Sequence, residues 1–170
     1  LSHADNAKNP LQTISRHPDT GGAISGVQLP FWRECQDVAA RAMQAAGVEA
    51  GDFVAIALPN GTAFLEVAFA CWALGATPAP VSHRLPPLEL QALLEVLQPR
   101  LVVGGEAARA AGVPLVTEQS LYDPSLSADP LPERVSQHVK AIASGGSTGR
   151  PKVIVDHARS VLDPDAPSLG

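Results

Sequence analysis

Apolar residues along this chain follow two alternating spacings. From Phe31 onward, Phe31, Cys35, Val38, Ala39, Ala42 and Ala46 recur at helical intervals, with Arg33, Asp37, Arg41 and Gln44 largely on other faces. Pro30 suits the first turn of that helix and Gly47 the position just past its end. Phe53-Val54-Ala55-Ile56-Ala57-Leu58 is a short, continuous apolar run between Gly51-Asp52 and Pro59-Asn60-Gly61. Its length predicts a strand buried on both faces, as in a parallel sheet. Thr62 to Leu74 reads as a helix apolar nearly all round (Phe64, Leu65, Val67, Phe69, Cys71, Trp72), expected to be deeply packed and closed by Gly75. Ala76 to Val81 is a second strand-like segment, weakened by Pro78 and Pro80.

The same alternation continues. Leu85 to Leu97 predicts an amphipathic helix opened by Pro86 and Pro87, with Leu90, Leu93, Leu94 and Leu97 on one face. Leu101-Val102-Val103 predicts a strand, Glu106 to Ala111 a short helix, and Val113 to Thr117 a further strand. Tyr122 to Pro132 is loop by composition, and Val139–Ala143 and Val153–Val155 are apolar, β-branched segments. Before all of these, Ala23 to Leu29 places Ile24 and Val27 among glycines, a candidate short hairpin or edge pair. Strands alternating with helices at this spacing predict an α/β fold, a mostly parallel sheet flanked by helices. The expected organisation is a loosely packed lead-in over residues 1–22 and one α/β unit over residues 23–170.

Composition narrows the function classes. A chain of 170 residues is one domain by length and buries roughly 70% of its unfolded surface. A net charge of −5 with no basic stripe argues against nucleic acid as a partner, and the aromatic content is too low for a base-stacking surface. Cys35 and Cys71 each lie in an apolar helical pattern and are expected as buried thiols; no histidine stands in zinc-ligand spacing with them, so no metal site is expected. No stretch is long enough to span a membrane and the polar N-terminus does not read as a signal peptide, which leads to an expected cytoplasmic location.

The candidate chemistry is concentrated in Ser144–Lys152, which reads SGGSTGRPK. Gly145, Gly146 and Gly149 permit sharp turns and close approach of backbone N–H groups to a ligand, and successive N–H groups form an anion-binding nest. Ser144, Ser147 and Thr148 add hydroxyl donors, and Arg150 and Lys152 add positive charge. Ser/Gly-rich stretches are commonly flexible linkers, and the residues alone leave that reading open. Two features favour a phosphate-holding loop: Pro151 fixes a backbone angle before Lys152, and apolar strand-like segments flank the stretch. The GxxxxGK[ST] pattern of nucleoside triphosphatases is absent, since no Gly-Lys pair occurs. Ligands of open α/β sheets sit at the carboxyl ends of strands, where a loop following a strand at 139–143 would emerge.

These residues resemble a known family. SGGSTGRPK is similar to the signature loop of the adenylate-forming (AMP-binding) enzymes: acyl-CoA synthetases, luciferases and the adenylation domains of peptide synthetases. Phe31-Trp32-Arg33-Glu34 stands where that family has its first strand-to-helix motif, and Gly47–Val81 is similar nearly throughout to its early sheet-and-helix region. The resemblance runs from about Ile24 to Val155. It implies a two-step reaction in which a carboxylate attacks the α-phosphorus of ATP, with Mg²⁺ present, and a thiol, usually that of coenzyme A, then takes the acyl group from the adenylate. Carried over, Ser144, Gly145, Gly146, Ser147, Thr148 and Gly149 would hold the β- and γ-phosphates, with Arg150 beside them, and Lys152 would fix the loop or offset phosphate charge. Donors prealigned on a departing pyrophosphate are worth about 3–4 kcal/mol each in a dry site.

Two departures qualify what the resemblance implies. Val153 replaces the glycine that usually follows the loop lysine, and the Val-Ile-Val-Asp-His continuation resembles a subgroup near bile-acid and related acyl-CoA ligases. Family members run several hundred residues past the position of Gly170, so the catalytic residues are expected beyond it. The expected parent is an AMP-forming acid–thiol ligase of the fatty-acid-metabolism type. The chain alone is expected to be inactive and to self-associate through an uncovered apolar face. The alternatives are a shortened nucleotide- or anion-binding module and an adenylation domain serving a carrier-protein thiol. Other polar residues read as bland: His83-Arg84 as a solvated turn, His138 as a surface strand residue, His157 outside any GxSxG triad, and Glu34, Asp37 and Arg41 as helix-surface charges.

Overall fold

The computed structural model describes residues 28–110, 112–123, 125–127, 129, 131–132, 134–144, 151–158 and 160, with side chains from residue 35 onward except that of Ser144. The elements run α1 (Gln28–Ala45), β1 (Phe53–Ala57), α2 (Thr62–Leu74), β2 (Thr77–Pro80), α3 (Pro87–Leu97), β3 (Leu101–Gly104), a 3₁₀ turn (Glu106–Ala108), β4 (Leu115–Val116), α4 (Glu118–Leu121), β5 (Lys140–Ser144) and β6 (Lys152–Asp156). The proposed lead-in and most of the 23–29 segment lie outside the described residues. Its end does not: Gln28 and Leu29 open α1 instead of completing an edge pair. Pro30 permits this, because a first-turn residue needs no N–H for the helix ladder.

The first four strands form one parallel sheet in the order β2-β1-β3-β4. Val54, Ala55, Ile56 and Ala57 pair with Leu101 to Gly104, and Phe53 to Ile56 pair with Thr77 to Pro80. Alternation along β1 and β3 sends Val54, Ile56, Leu101 and Val103 to one face, where α1 and α2 cover them with Ala39, Met43, Val67, Cys71 and Leu74. Ala55, Ala57 and Val102 face the other way, onto Leu90, Leu93, Leu94 and Leu97 of α3. The leucine face expected of that helix is thus its buried face, and β1 is buried on both sides as its unbroken apolar run requires. Gly47 ends α1 as expected: at φ 92° its N–H donates to the Gln44 carbonyl (2.9 Å), and Val48 N–H donates to the Met43 carbonyl (3.1 Å).

Four expectations are corrected. Helix α2 is not packed all round, since Leu65 and Phe69 are 47% and 43% exposed while the charged Glu66 is wholly buried. The helix expected over Glu106–Ala111 is a single 3₁₀ turn, and the strand expected over Val113–Thr117 shortens to Leu115–Val116. One turn of helix, α4, follows β4, with Thr117 and Ser120 forming a reciprocal capping box. Finally, the strand near 139–143 does not join the parallel sheet; β5 pairs antiparallel with β6 as a separate two-stranded sheet.

Proline placement in β2 explains that last result. Thr77 N–H donates to the Asp52 carbonyl (2.8 Å) and Val81 N–H to the Ile56 carbonyl (3.0 Å), so the odd-numbered positions of β2 face β1. Pro78 and Pro80 therefore face the outer edge, which presents carbonyls and no donors. A further strand cannot complete a ladder there. Strand β5 runs alongside β2 without such a ladder and pairs its other edge with β6.

Candidate phosphate-binding hairpin

The segment leading into β5 is tied to the amino ends of the parallel strands by polar contacts. Ser136, fully buried, places its Oγ 3.3 Å from Thr77 Oγ1 at the start of β2 and donates that hydroxyl to the His138 carbonyl (2.8 Å). The His138 ring lies parallel to that of Phe53, the first residue of β1, at 6.5 Å, and meets His157 edge-on at 4.9 Å. Trp72 of α2 donates its indole N–H to the Val139 carbonyl (2.8 Å). Strand β5 therefore starts at the amino end of the sheet and, running beside β2, carries Ser144 toward the carboxyl ends. The direction matches the expectation even though the pairing does not.

Within the hairpin, Ala141 and Ala143 of β5 and Val153 and Val155 of β6 turn inward onto the α3 core. Lys140, Ile142, Lys152 and Ile154 turn outward, with Ile142 and Ile154 43% and 60% exposed. The register pairs Lys140 with Asp156, Ile142 with Ile154, and Ser144 with Lys152. The two ends of the glycine-rich stretch are therefore cross-strand neighbours, and Lys152 is exposed. Gly145, Gly146, Ser147, Thr148, Gly149 and Arg150 lie outside the described residues.

His83 and Arg84 are exposed in the turn after β2, where Arg84 N–H donates to Ser82 Oγ (3.3 Å). His138 is half-buried at the base of the hairpin, not a surface strand residue, and its Nδ1 has no hydrogen-bond partner among the described residues. Cys35 and Cys71 are both buried, and burial raises the Cys71 thiol pKa far above its ordinary value. No helix among the described residues is long and apolar enough to cross a membrane.

One polar pair is not among the residues singled out from the sequence. Glu66, at 0% exposure inside α2, accepts the phenolic hydrogen of Tyr122, and its second oxygen, Oε1, has no partner among the described residues. Burial raises the Glu66 pKa; the Tyr122 bond works against that shift, and the nearby Glu118 charge adds to it. Tyr122 is shifted upward too, first by burial and then by its bond to Glu66. The pair fastens the loop after α4 onto α2. A lone acidic residue in an apolar helix could have prompted the search, but its partner lies 56 positions away.

Comparison with known proteins follows the same outline. The family model described as AMP-binding enzyme matches residues 31–164. Feruloyl-CoA synthase from Amycolatopsis sp is 38% identical over 153 residues, covering 85% of this chain and 30% of that protein. Pyochelin synthetase PchE from Pseudomonas aeruginosa is 31% identical over 125 residues, covering 73% of this chain and 9% of that one. Among solved structures, o-succinylbenzoate CoA synthetase from Bacillus subtilis, in complex with its acyl-adenylate intermediate, superimposes with a TM-score of 0.64 at 19% identity, covering 72% of this chain and 34% of that one. The chain thus spans less than a third of the curated relatives it matches. With the family model matching most of its length and the parallel sheet of these N-terminal domains in place, the chain belongs to the AMP-binding, adenylate-forming enzyme family.

Proposed function

We propose that this chain is the N-terminal, phosphate-holding portion of an AMP-forming acid–thiol ligase, with Ser144–Lys152 as the ATP phosphate loop. The observation that carries the reading is the hairpin register: Ser144 and Lys152 are Cα partners, so both ends of the loop are anchored and the exposed ammonium stands at its base. In this reaction the substrate carboxylate oxygen bonds to the α-phosphorus as the bond to the β-phosphate oxygen breaks. Negative charge grows on the departing pyrophosphate. Hydroxyls of Ser144, Ser147 and Thr148, the loop's backbone N–H groups, Arg150 and Lys152 offset that charge. Among the described residues no three His, Cys, Asp or Glu gather into a metal-holding group.

In the second step a thiol attacks the acyl carbonyl and AMP leaves. The resemblance to feruloyl-CoA synthase, broader and higher in identity than that to pyochelin synthetase, supports coenzyme A as the acceptor. The match to pyochelin synthetase supports the second reading, an adenylation domain serving a carrier-protein thiol.

Titration of pyrophosphate and of ATP into the chain and its Lys152→Ala variant tests the loop assignment. A charge-assisted contact of about 1.5–3 kcal/mol predicts a roughly 10- to 150-fold weaker pyrophosphate affinity in the variant. Equal affinities overturn the assignment. Because the chain covers only part of its relatives, it is proposed to hold phosphate without completing adenylation. ATP–pyrophosphate exchange above blank with candidate acids would contradict that.

A further inference from the structure

We infer that the free edge of β6 is a self-complementary docking edge, and that its partner is β6 of a second copy of this chain, paired antiparallel about a two-fold axis through Ile154. Among the described residues β6 has one ladder neighbour, β5, and none of them pairs with the backbone donors and acceptors of its other edge. Its sequence is Lys152-Val153-Ile154-Val155-Asp156. Laid antiparallel on itself with Ile154 central, it sets Lys152 against Asp156 of the second copy, Val153 against Val155, Ile154 against Ile154, and the converse. Every position meets a suitable partner. Parallel in-register pairing would instead put lysine on lysine and aspartate on aspartate, which is destabilising. An antiparallel slip of two residues would leave the charges facing apolar neighbours.

Three further observations support this pairing. Val153, Ile154 and Val155 are β-branched and favour strand pairing. Lys152 is exposed and Asp156 half-buried, and neither is in a salt bridge among the described residues. On the outward face Ile142 and Ile154 are already cross-strand partners and exposed, so the dimer would extend them into a row of four isoleucines across β5, β6 and their copies. Charge complementarity at the strand ends selects the register and direction, and the isoleucine row supplies apolar burial. The inference stands on this edge alone and does not rest on the phosphate-loop reading.

Sedimentation velocity across the micromolar range tests it. The mass should rise with concentration from 17.6 kDa toward twice that value. Lys152→Asp alone and Asp156→Lys alone each convert both charge pairs of the dimer to repulsive ones and should weaken association roughly tenfold or more. An equimolar mixture of the two variants restores opposite charges at both ends and should form a heterodimer. Far-UV circular dichroism confirms that each variant is folded; both changes lie on the outward face. A chain monomeric at every concentration overturns the inference. So does a dimer that survives both single reversals, a mixture that fails to reassociate, or a dimer abolished by Phe69→Lys on α2 but not by charge reversal. Association and pyrophosphate binding are read separately, so failure of one leaves the other standing.

Discussion

Replacing Tyr122 by phenylalanine removes one oxygen and leaves the ring in place. What changes is the state of Glu66. The wild-type carboxyl has one oxygen bonded to Tyr122 and one without a described partner, at zero exposure. Without the phenol, neither oxygen has a partner, and a buried group left unsatisfied costs about 1–3 kcal/mol. Against a total stability of about 5–15 kcal/mol that is a large fraction. At roughly 2–4 °C per kcal/mol for a chain of this size, Tm should fall by about 2–12 °C. The pH dependence gives a second readout. Burial holds the folded-state pKa of Glu66 above its ordinary value of 4.5. The folded protein therefore keeps that proton after the unfolded chain has released it. The group's contribution is complete below 4.5 and is lost as pH rises through the raised folded value. Glu66→Gln cannot ionise, so its stability relative to wild type should improve as pH rises above 4.5. Urea unfolding of wild type, Glu66→Gln, Tyr122→Phe and the double variant at several pH values measures both effects. Parallel pH profiles for wild type and Glu66→Gln, or a Tyr122→Phe variant within about 0.5 kcal/mol of wild type, would refute the reasoning.

Two other substitutions probe how the hairpin and the sheet are held. At Gly104 an added Cβ would lie 2.9 Å from the Ala57 carbonyl oxygen, 3.0 Å from Ala57 Cβ and 3.1 Å from Ala108 Cβ. Gly104→Ala should therefore lower the urea midpoint by the equivalent of about 1–3 kcal/mol, because strand backbone cannot yield as a side-chain tip can. An unchanged midpoint would show that β1 and β3 have slack at their carboxyl ends. Trp72→Phe removes the indole donor to the Val139 carbonyl while keeping an aromatic ring beside Phe69, which meets Trp72 edge-on at 5.2 Å. Amide exchange in β5 should accelerate with little change in β1 and β3; equal acceleration everywhere would mean that the hairpin opens only with the whole fold.

Particular residues show how much of this was legible in the sequence. Helix α2 runs over Thr62–Leu74 as read from the apolar run and its flanking glycines, and the leucine stripe of α3 faces the core. Both are set locally, by side-chain period and by residues that stop a helix. The misreadings share a different cause. An all-apolar helix surface does not say which side finds a neighbour, so it predicts Leu65 and Phe69 inside and gives Glu66 no place. Gln28 and Leu29 follow a glycine-rich stretch and pattern with it, although Pro30 permits a helix to begin earlier. The candidate site was readable as a composition, SGGSTGRPK, and as a resemblance. Its anchoring was not, because the register of Ser144 against Lys152 depends on which strand β5 accepts as partner.

By itself, then, the sequence determined the period of each element, the parallel α/β class, the placement of the glycine-rich stretch between two strands, and the family. The first three follow from local backbone preference and from the order of apolar runs, and the family from the resemblance of SGGSTGRPK and of Gly47–Val81 to its signature segments. The tertiary structure alone decided the partners. Pro78 and Pro80 were visible from the start as a weakness in β2, but only the β1–β2 register shows that both face the outer edge and deny β5 a ladder there. The same holds for Glu66 and Tyr122, whose contact joins segments that no short-range pattern relates. Hydrogen bonds across a sheet edge and burial inside a core are properties of two segments at once, and a chain read one position at a time carries only half of each.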